Sequence, residues 1–164
     1  MIRTLITIGA GISFAAAAPA VAAPPAVPPA TPAGPDFLAQ NGAAKGVVTT
    51  PSGLEYFVVV SGPKSGAQPT ADDTVTFDYE VKLLTGETID SSYERGEPLT
   101  GAVGEFVPGF TEALELMRPG DEWIVWVPPQ LGYGDKDSGP IPANSVLRFR
   151  LALHSIAPAP APAP

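Results

Sequence analysis

The chain has 164 residues, with 9 Lys and Arg against 17 Asp and Glu, a formal charge of −8 and no cysteine. This acidic balance argues against nucleic acid or an anionic membrane surface as a partner, because both reward clustered Lys and Arg. With no disulfides available, the fold needs a core that holds alone, which small exported domains often lack.

In chain order, Arg3 precedes an apolar stretch from Leu5 to Ala18, followed by small residues. That is the pattern of a signal peptide, with Ala20-Val21-Ala22 meeting the small-x-small requirement and cleavage before Ala23. The apolar run is shorter than the roughly 20 residues that span a bilayer. The expectation is therefore an exported chain, periplasmic or secreted, with residues 1–22 removed and no stable membrane insertion. Residues 23–46 read as a Pro/Ala-rich linker, and residues 157–164, alternating Ala and Pro, as a disordered tail. Within the linker, Asp36 to Lys45 adds at most a short helical turn, since Gly42 opposes a longer one.

Residues 47–156 read as one domain, near the usual size for a single core. Leu54 to Val60 is a run of aromatic and β-branched residues closed by Ser61-Gly62-Pro63, which predicts a strand. Val75, Phe77, Tyr79, Val81 and Leu83 alternate with polar residues, predicting a half-buried strand that turns at Thr85-Gly86 and returns through Ser92. Phe110, Leu114 and Met117 have the spacing of one helix face, ended by Pro119-Gly120. Trp123 to Val127 is a buried strand, and Leu147, Phe149, Leu151 and Leu153 alternate with Arg148 and Arg150 in the last. The fold class is α+β, a curved antiparallel sheet forming a half-barrel around one short helix.

The chemistry is limited by what is missing. His154 is the one histidine, placed near a strand end without a nucleophile in any recognisable motif, so no catalytic triad is supported. No metal-ligand or phosphate-loop spacing occurs, and no cofactor is expected. Asp72-Asp73 and the Glu112/Glu115 pair read as solvated surface. Trp123 and Trp126, three apart in a strand, point to opposite faces and cannot form one aromatic box. What remains is a mostly apolar set supplied by strand ends, the helix start and one long loop: Tyr79, Ile89, Asp90, Arg95 and Leu99 early, then Phe106, Val107, Phe110, Tyr133, Ile141 and Phe149. Such a set suits a binding pocket or chemistry in which no covalent bond is broken.

Five segments carry a resemblance. They are Val75-Thr76-Phe77-Asp78-Tyr79; Gly86-x-x-Ile89-Asp90-Ser91-Ser92; Phe106-Val107-Pro108-Gly109-Phe110 with Met117-x-Pro119-Gly120; Pro129-Gln130-Leu131-Gly132-Tyr133-Gly134; and Ile141-Pro142-Ala143-Asn144-Ser145-Val146-Leu147-x-Phe149. In that order, from about Thr50 to Ile156, the chain resembles the FKBP-type peptidyl-prolyl cis-trans isomerases. The resemblance implies a shallow pocket that accepts a proline ring and accelerates rotation about the X-Pro bond in polypeptide clients, assisting folding. By position, Phe110 would form the floor, with Tyr79, Val107, Ile141 and Phe149 as walls. The Val107 backbone N–H and the Tyr133 hydroxyl would donate to the bound chain. Asp90 corresponds to the family's buried pocket acid, accepting from Tyr79 or pairing with Arg95 rather than acting as a base.

This chain departs from the family at several points. Phe110 stands where tryptophan is usual, and Ile89 and Leu99 stand where phenylalanine is common. The loop from Asp135 to Pro140 lacks the family's aromatic or histidine contacts, and no chaperone flap is inserted there. Altered affinity for macrolide inhibitors and lower turnover are expected. Two other readings compete: a catalytically weak module that only holds proline-containing partners or the chain's own Ala-Pro tail, and a small-ligand carrier. A monomer is expected, since the proline-rich segment occupies the place of a long dimerising helix.

Overall fold

The computed structural model describes residues 34–159. The signal peptide, residues 23–33 of the linker and residues 160–164 of the tail lie outside that range. Along the chain run α1 (Gly34–Gly42), β1 (Val47–Thr49), β2 (Glu55–Val60), β3 (Thr74–Leu83), β4 (Thr88–Ser91), α2 (Ser92–Arg95), β5 (Leu99–Ala102), α3 (Pro108–Leu116), β6 (Glu122–Val127) and β7 (Leu147–Ala157).

All seven strands form one antiparallel sheet in the order β1-β2-β6-β7-β3-β4, and β5 shares with β4 the outer edge of β3. The sharing matters for the pocket. Thr74 to Phe77 pair with β5, whereas Glu80 to Lys82 pair with β4, so the chain between them, including α2, must leave the sheet near Tyr79. β3 and β7 pair along ten residues of each strand, with a bulge between Thr76 and Phe77 that adds local twist. Sequence alternation becomes facial separation here. Val75, Phe77, Val81 and Leu83 are buried against Leu147, Phe149, Leu151 and Leu153, while Arg150 stays outside and pairs with Glu122 of β6 at 2.7 Å. Tyr79 shares the inward face but is only half-buried, because it fronts a cavity rather than the core.

α3 lies across the concave face. Pro108 occupies its first turn, where a missing N–H costs nothing, and the Thr111 hydroxyl ties that turn to Val103 O at 2.7 Å. Gly109, Phe110, Ala113 and Leu114 are its buried residues, and Met117 just beyond its end is buried as well. A side chain at Gly109 would meet Val127 Cγ1 at 2.6 Å and Leu131 Cβ at 3.1 Å, so glycine permits the helix to start hard against the end of β6.

The α+β half-barrel expected from the sequence is the architecture found, and four short elements add to it. Residues 34–42, assigned by composition to the linker, form helix α1, which packs on β1 and β2 and donates from Asn41 Nδ2 to the buried Glu55 at 2.7 Å. The expectation of a single turn failed because Gly42 stands at the last position of the helix, where glycine is well suited, rather than inside it. β1, β5 and α2 have three or four residues each and carry too little periodicity to be read. Two of the four acids read as solvated surface also have partners there: Asp73 accepts from Thr70 N at 2.7 Å, and both Glu112 oxygens accept from the Ser52 hydroxyl at 2.9 and 2.7 Å. Trp123 is buried and Trp126 half-buried, consistent with opposite faces.

Candidate functional site: an aromatic-floored pocket

Between the N-terminal end of α3 and the concave face of the sheet is a cavity of about 630 Å³. Its floor is Phe110, 5% exposed and held at the centre of an aromatic cluster. Ring centroids lie 4.9 Å away at Phe106, 5.3 Å at Phe77 and 5.1 Å at Phe149, the last with the planes at 74°. The geometry is edge-to-face or tilted throughout, the arrangement favoured by ring quadrupoles. Tyr79, Ile89 and Leu99 form the wall from the sheet edge, Val107 lies at the helix start, and Ile141 and Tyr133 come from the loop before β7.

Every residue singled out in the sequence lines this cavity except Arg95, which acts one layer out. Its Nη1 meets Asp90 Oδ1, its Nη2 donates to the Tyr79 hydroxyl oxygen at 3.0 Å, and its guanidinium carbon is 5.3 Å from the centre of the Tyr79 ring. The Tyr79 hydroxyl in turn donates to Asp90 Oδ2. The two alternatives left open for Asp90 are thus both realised, and a closed triangle of Tyr79, Asp90 and Arg95 braces one pocket wall. Asp90 differs from the buried acid that the resemblance implies: its side chain is 46% exposed. The reason is topological, since β4 is the last strand of the sheet order.

The electrostatics follow from those contacts. The Tyr79 hydroxyl, above all, holds the Asp90 carboxyl below the usual range, with help from the Ser91 N–H and the Arg95 charge and against the cost of partial burial. Burial, then the bond to Asp90, pushes the Tyr79 phenol up, so it remains a donor at neutral pH. A carboxyl whose folded-state value is depressed stabilises the fold in full above its unfolded value, near pH 3.8, and loses that contribution as the pH falls through the folded value. Asp90→Asn is therefore expected to lower the melting temperature by a constant amount above about pH 5 and by less below about pH 4. Thermal melts of both proteins from pH 3 to 7 check this; a difference that stays constant to pH 3 would remove Asp90 from the acid-sensitive groups. The effect is small, because solvent screens a half-exposed pair.

Two of the lining residues carry the donors that the resemblance implies, Tyr133 and Val107. Tyr133 is 42% exposed on a loop held by Gly134 N to Pro129 O and Asn144 N to Gly134 O, both 2.8 Å. The Val107 N–H, at the residue preceding α3, makes no hydrogen bond within residues 34–159. No cysteine or histidine lines the cavity, and no cluster of three or more metal-ligating side chains is found among the described residues. His154 lies elsewhere, its Nε2 2.8 Å from Asp78, whose other oxygen takes the hydroxyl proton of the buried Ser92. That hydroxyl oxygen accepts from Tyr79 N, so the Ser92-Asp78-His154 chain fixes the backbone behind the pocket and offers no free nucleophile.

Sequence reasoning passed over Phe77, Val81 and Leu147, which also line the cavity. The alternation of β3 contains the signal for the first two, because residues two apart from Tyr79 share its face. Glu105 and the Ser138-Gly139-Pro140 rim had no such signal.

The FKBP-type peptidyl-prolyl cis-trans isomerase family model matches residues 65–154, more than half of the chain. The chain belongs to this family. Residues 27–58 match a second model, the domain amino-terminal to FKBP-type peptidyl-prolyl isomerase, which accounts for α1 and β1 preceding the segments read from sequence. The chain is 42% identical to outer membrane protein MIP of Legionella longbeachae over 121 residues, covering 73% of this chain and 51% of that protein. It is 40% identical to the FKBP-type isomerase FkpA of Escherichia coli K12 over 116 residues, 71% of this chain and 42% of that one. It thus spans about half the length of the curated relatives it matches. Among solved structures, FkpA from Escherichia coli superposes with a TM-score of 0.73 at 38% identity over 77% of this chain and 59% of that one. An isomerase structure from Pseudomonas syringae gives 0.71 at 26% over 77% and 92%.

Proposed function

We propose that this FKBP-type chain is an exported isomerase that accelerates X-Pro peptide-bond rotation in unfolded or extended polypeptides, as a monomer in the periplasm or outside the cell. The observation that carries the reading is the pocket itself: a mostly apolar, aromatic-floored cavity whose lining includes Val107 and Tyr133 and neither cysteine nor histidine. Rotation about a peptide bond faces a barrier of roughly 18–20 kcal/mol from amide resonance, and for X-Pro it takes tens to hundreds of seconds uncatalysed. Resonance places partial negative charge on the carbonyl oxygen of the planar amide. A pocket that withholds water from that charge favours the twisted amide, and each ~1.4 kcal/mol of such preference gives a tenfold rate increase.

The residues divide this work. Burying the ring methylenes of proline over Phe110 and against Phe149 stabilises the complex by roughly 2 kcal/mol, and this binding is shared by the planar and twisted forms. The Val107 N–H and the Tyr133 hydroxyl anchor the chain on either side of the ring, which holds the rotating bond over the apolar floor. Asp90 is engaged by Tyr79 and Arg95, so its role is to hold the wall. Tyr133→Phe is therefore expected to lower kcat/KM by about three- to tenfold, the loss of one neutral hydrogen bond, with an unchanged melting temperature. Loss of activity to the spontaneous rate would make the hydroxyl indispensable to the rotation step.

Export rests on Arg3, the Leu5–Ala18 run and Ala20-Val21-Ala22. Among the described residues no helix is long and apolar enough to cross a membrane. The test of the activity is protease-free isomerisation of a Phe-Pro tetrapeptide by purified residues 23–164, with and without a macrolide inhibitor. Fast, inhibitable exchange is expected; the spontaneous rate from folded protein would overturn the proposal. A second reading, a binding module of low turnover, is favoured by the aliphatic Ile89 and Leu99 walls and by the four X-Pro bonds of the Ala-Pro segment. If that segment occupies the pocket, protein ending at Ile156 gains activity.

A further inference from the structure

We propose that Asn41 is a modification site: it loses its side-chain amide to become an acid, and the acid releases helix α1 from the sheet. Asn41 is followed by Gly42. Glycine is the successor that least hinders attack of its own amide nitrogen on the asparagine side chain, because it lacks a Cβ and reaches backbone angles closed to other residues. In that step the Gly42 nitrogen, its proton taken by hydroxide, bonds to Asn41 Cγ; the Cγ–Nδ2 bond breaks, and the departing nitrogen takes a proton from water and leaves as ammonia. Water then opens the resulting succinimide at either carbonyl, giving aspartate or isoaspartate. No oxidant or cofactor is needed.

Packing explains why glycine stands at this position. A Cβ at Gly42 would meet Glu55 Oε1 at 2.7 Å and Thr49 Oγ1 at 2.9 Å, so the fit of the helix end against β1 and β2 favours the very residue that leaves Asn41 open to attack. Ring closure requires the backbone at Asn41 to leave the helix, since a helical turn holds the Gly42 nitrogen away from the Asn41 side-chain carbon. α1 permits that opening. It buries none of its residues, and its nine residues fall below the roughly 12–15 at which a helix stands alone in water. A single side-chain hydrogen bond among the described residues ties it to the sheet, from Asn41 Nδ2 to Glu55 Oε2 at 2.7 Å. Glu55 is 3% exposed, and deamidation replaces its donor with a second acid. Two carboxyl groups at that separation oppose each other, and the buried one loses its partner. α1 contributes no residue to the proline pocket, so the modification changes how the helix is held and leaves that pocket intact.

The experiment incubates the full chain at mildly alkaline pH, native and in guanidinium chloride, and follows by mass spectrometry the amide-to-acid conversion in the tryptic peptide ending at Lys45. Native conversion at Asn41 is expected to be less than about a thousandfold slower than in the denatured chain, because only a marginal helix has to open. A larger slowdown, that of whole-domain unfolding, would overturn the site. The other asparagine, Asn144, precedes Ser145 and serves as the internal control; equal native conversion there would also overturn it. Asn41→Asp reproduces one product directly and is expected to speed hydrogen exchange of the amides of residues 38–42 about tenfold, the loss of one buried hydrogen bond, with β3 and β7 unchanged. Glu55→Gln in that background returns a donor to the pair, and slow exchange should return with it. Unchanged exchange in Asn41→Asp, or no recovery in the double variant, would overturn the release of α1.

Discussion

Phe110→Ala is expected to reduce kcat/KM on a Phe-Pro tetrapeptide at least about a hundredfold, equivalent to ~2.7 kcal/mol of lost transition-state stabilisation. The ring is the meeting point of Phe77, Phe106 and Phe149, all within 5.3 Å between centroids. Its removal lets water beneath the rotating amide and leaves the proline ring without a floor. Cavity formation costs the fold about 3–5 kcal/mol at the same time. Phe110→Leu separates the two effects: it keeps an apolar floor, loses less stability, and should retain measurable, reduced activity. Kinetics on both variants, each verified as folded by thermal melting, provide the check. Full activity in folded Phe110→Ala would show that rotation is not accelerated over this floor.

The converse experiment fills the pocket instead of hollowing it. Ile141→Trp, at a buried position that lines the cavity, is expected to project an indole into a space of about 630 Å³. Activity should fall to near the spontaneous rate while the melting temperature changes by only a few degrees, because the added apolar surface lies against Phe110 and Phe149 rather than displacing them. Macrolide binding should disappear in parallel. A variant that loses inhibitor binding but keeps peptide turnover would mean that clients use another part of the rim.

The amino-acid order alone determined the local half of this picture. Period-two alternation in Val75–Leu83 and Leu147–Leu153 and the four-then-three spacing of Phe110, Leu114 and Met117 each reflect where side chains must point to leave water, a property readable from a few neighbouring residues. The chemistry excluded by one remote histidine and no cysteine was legible in the same way. Tertiary structure decided what depends on pairing between distant segments. Asp90 belongs to an outermost strand, and only the sheet order reveals that this leaves it half-exposed instead of buried. The triangle of Tyr79, Asp90 and Arg95 forms because β4 and β5 divide one edge of β3 and expel α2 beside Tyr79. Residues 34–42 look like linker by composition, yet the helix is held by Asn41 against Glu55, fourteen residues away.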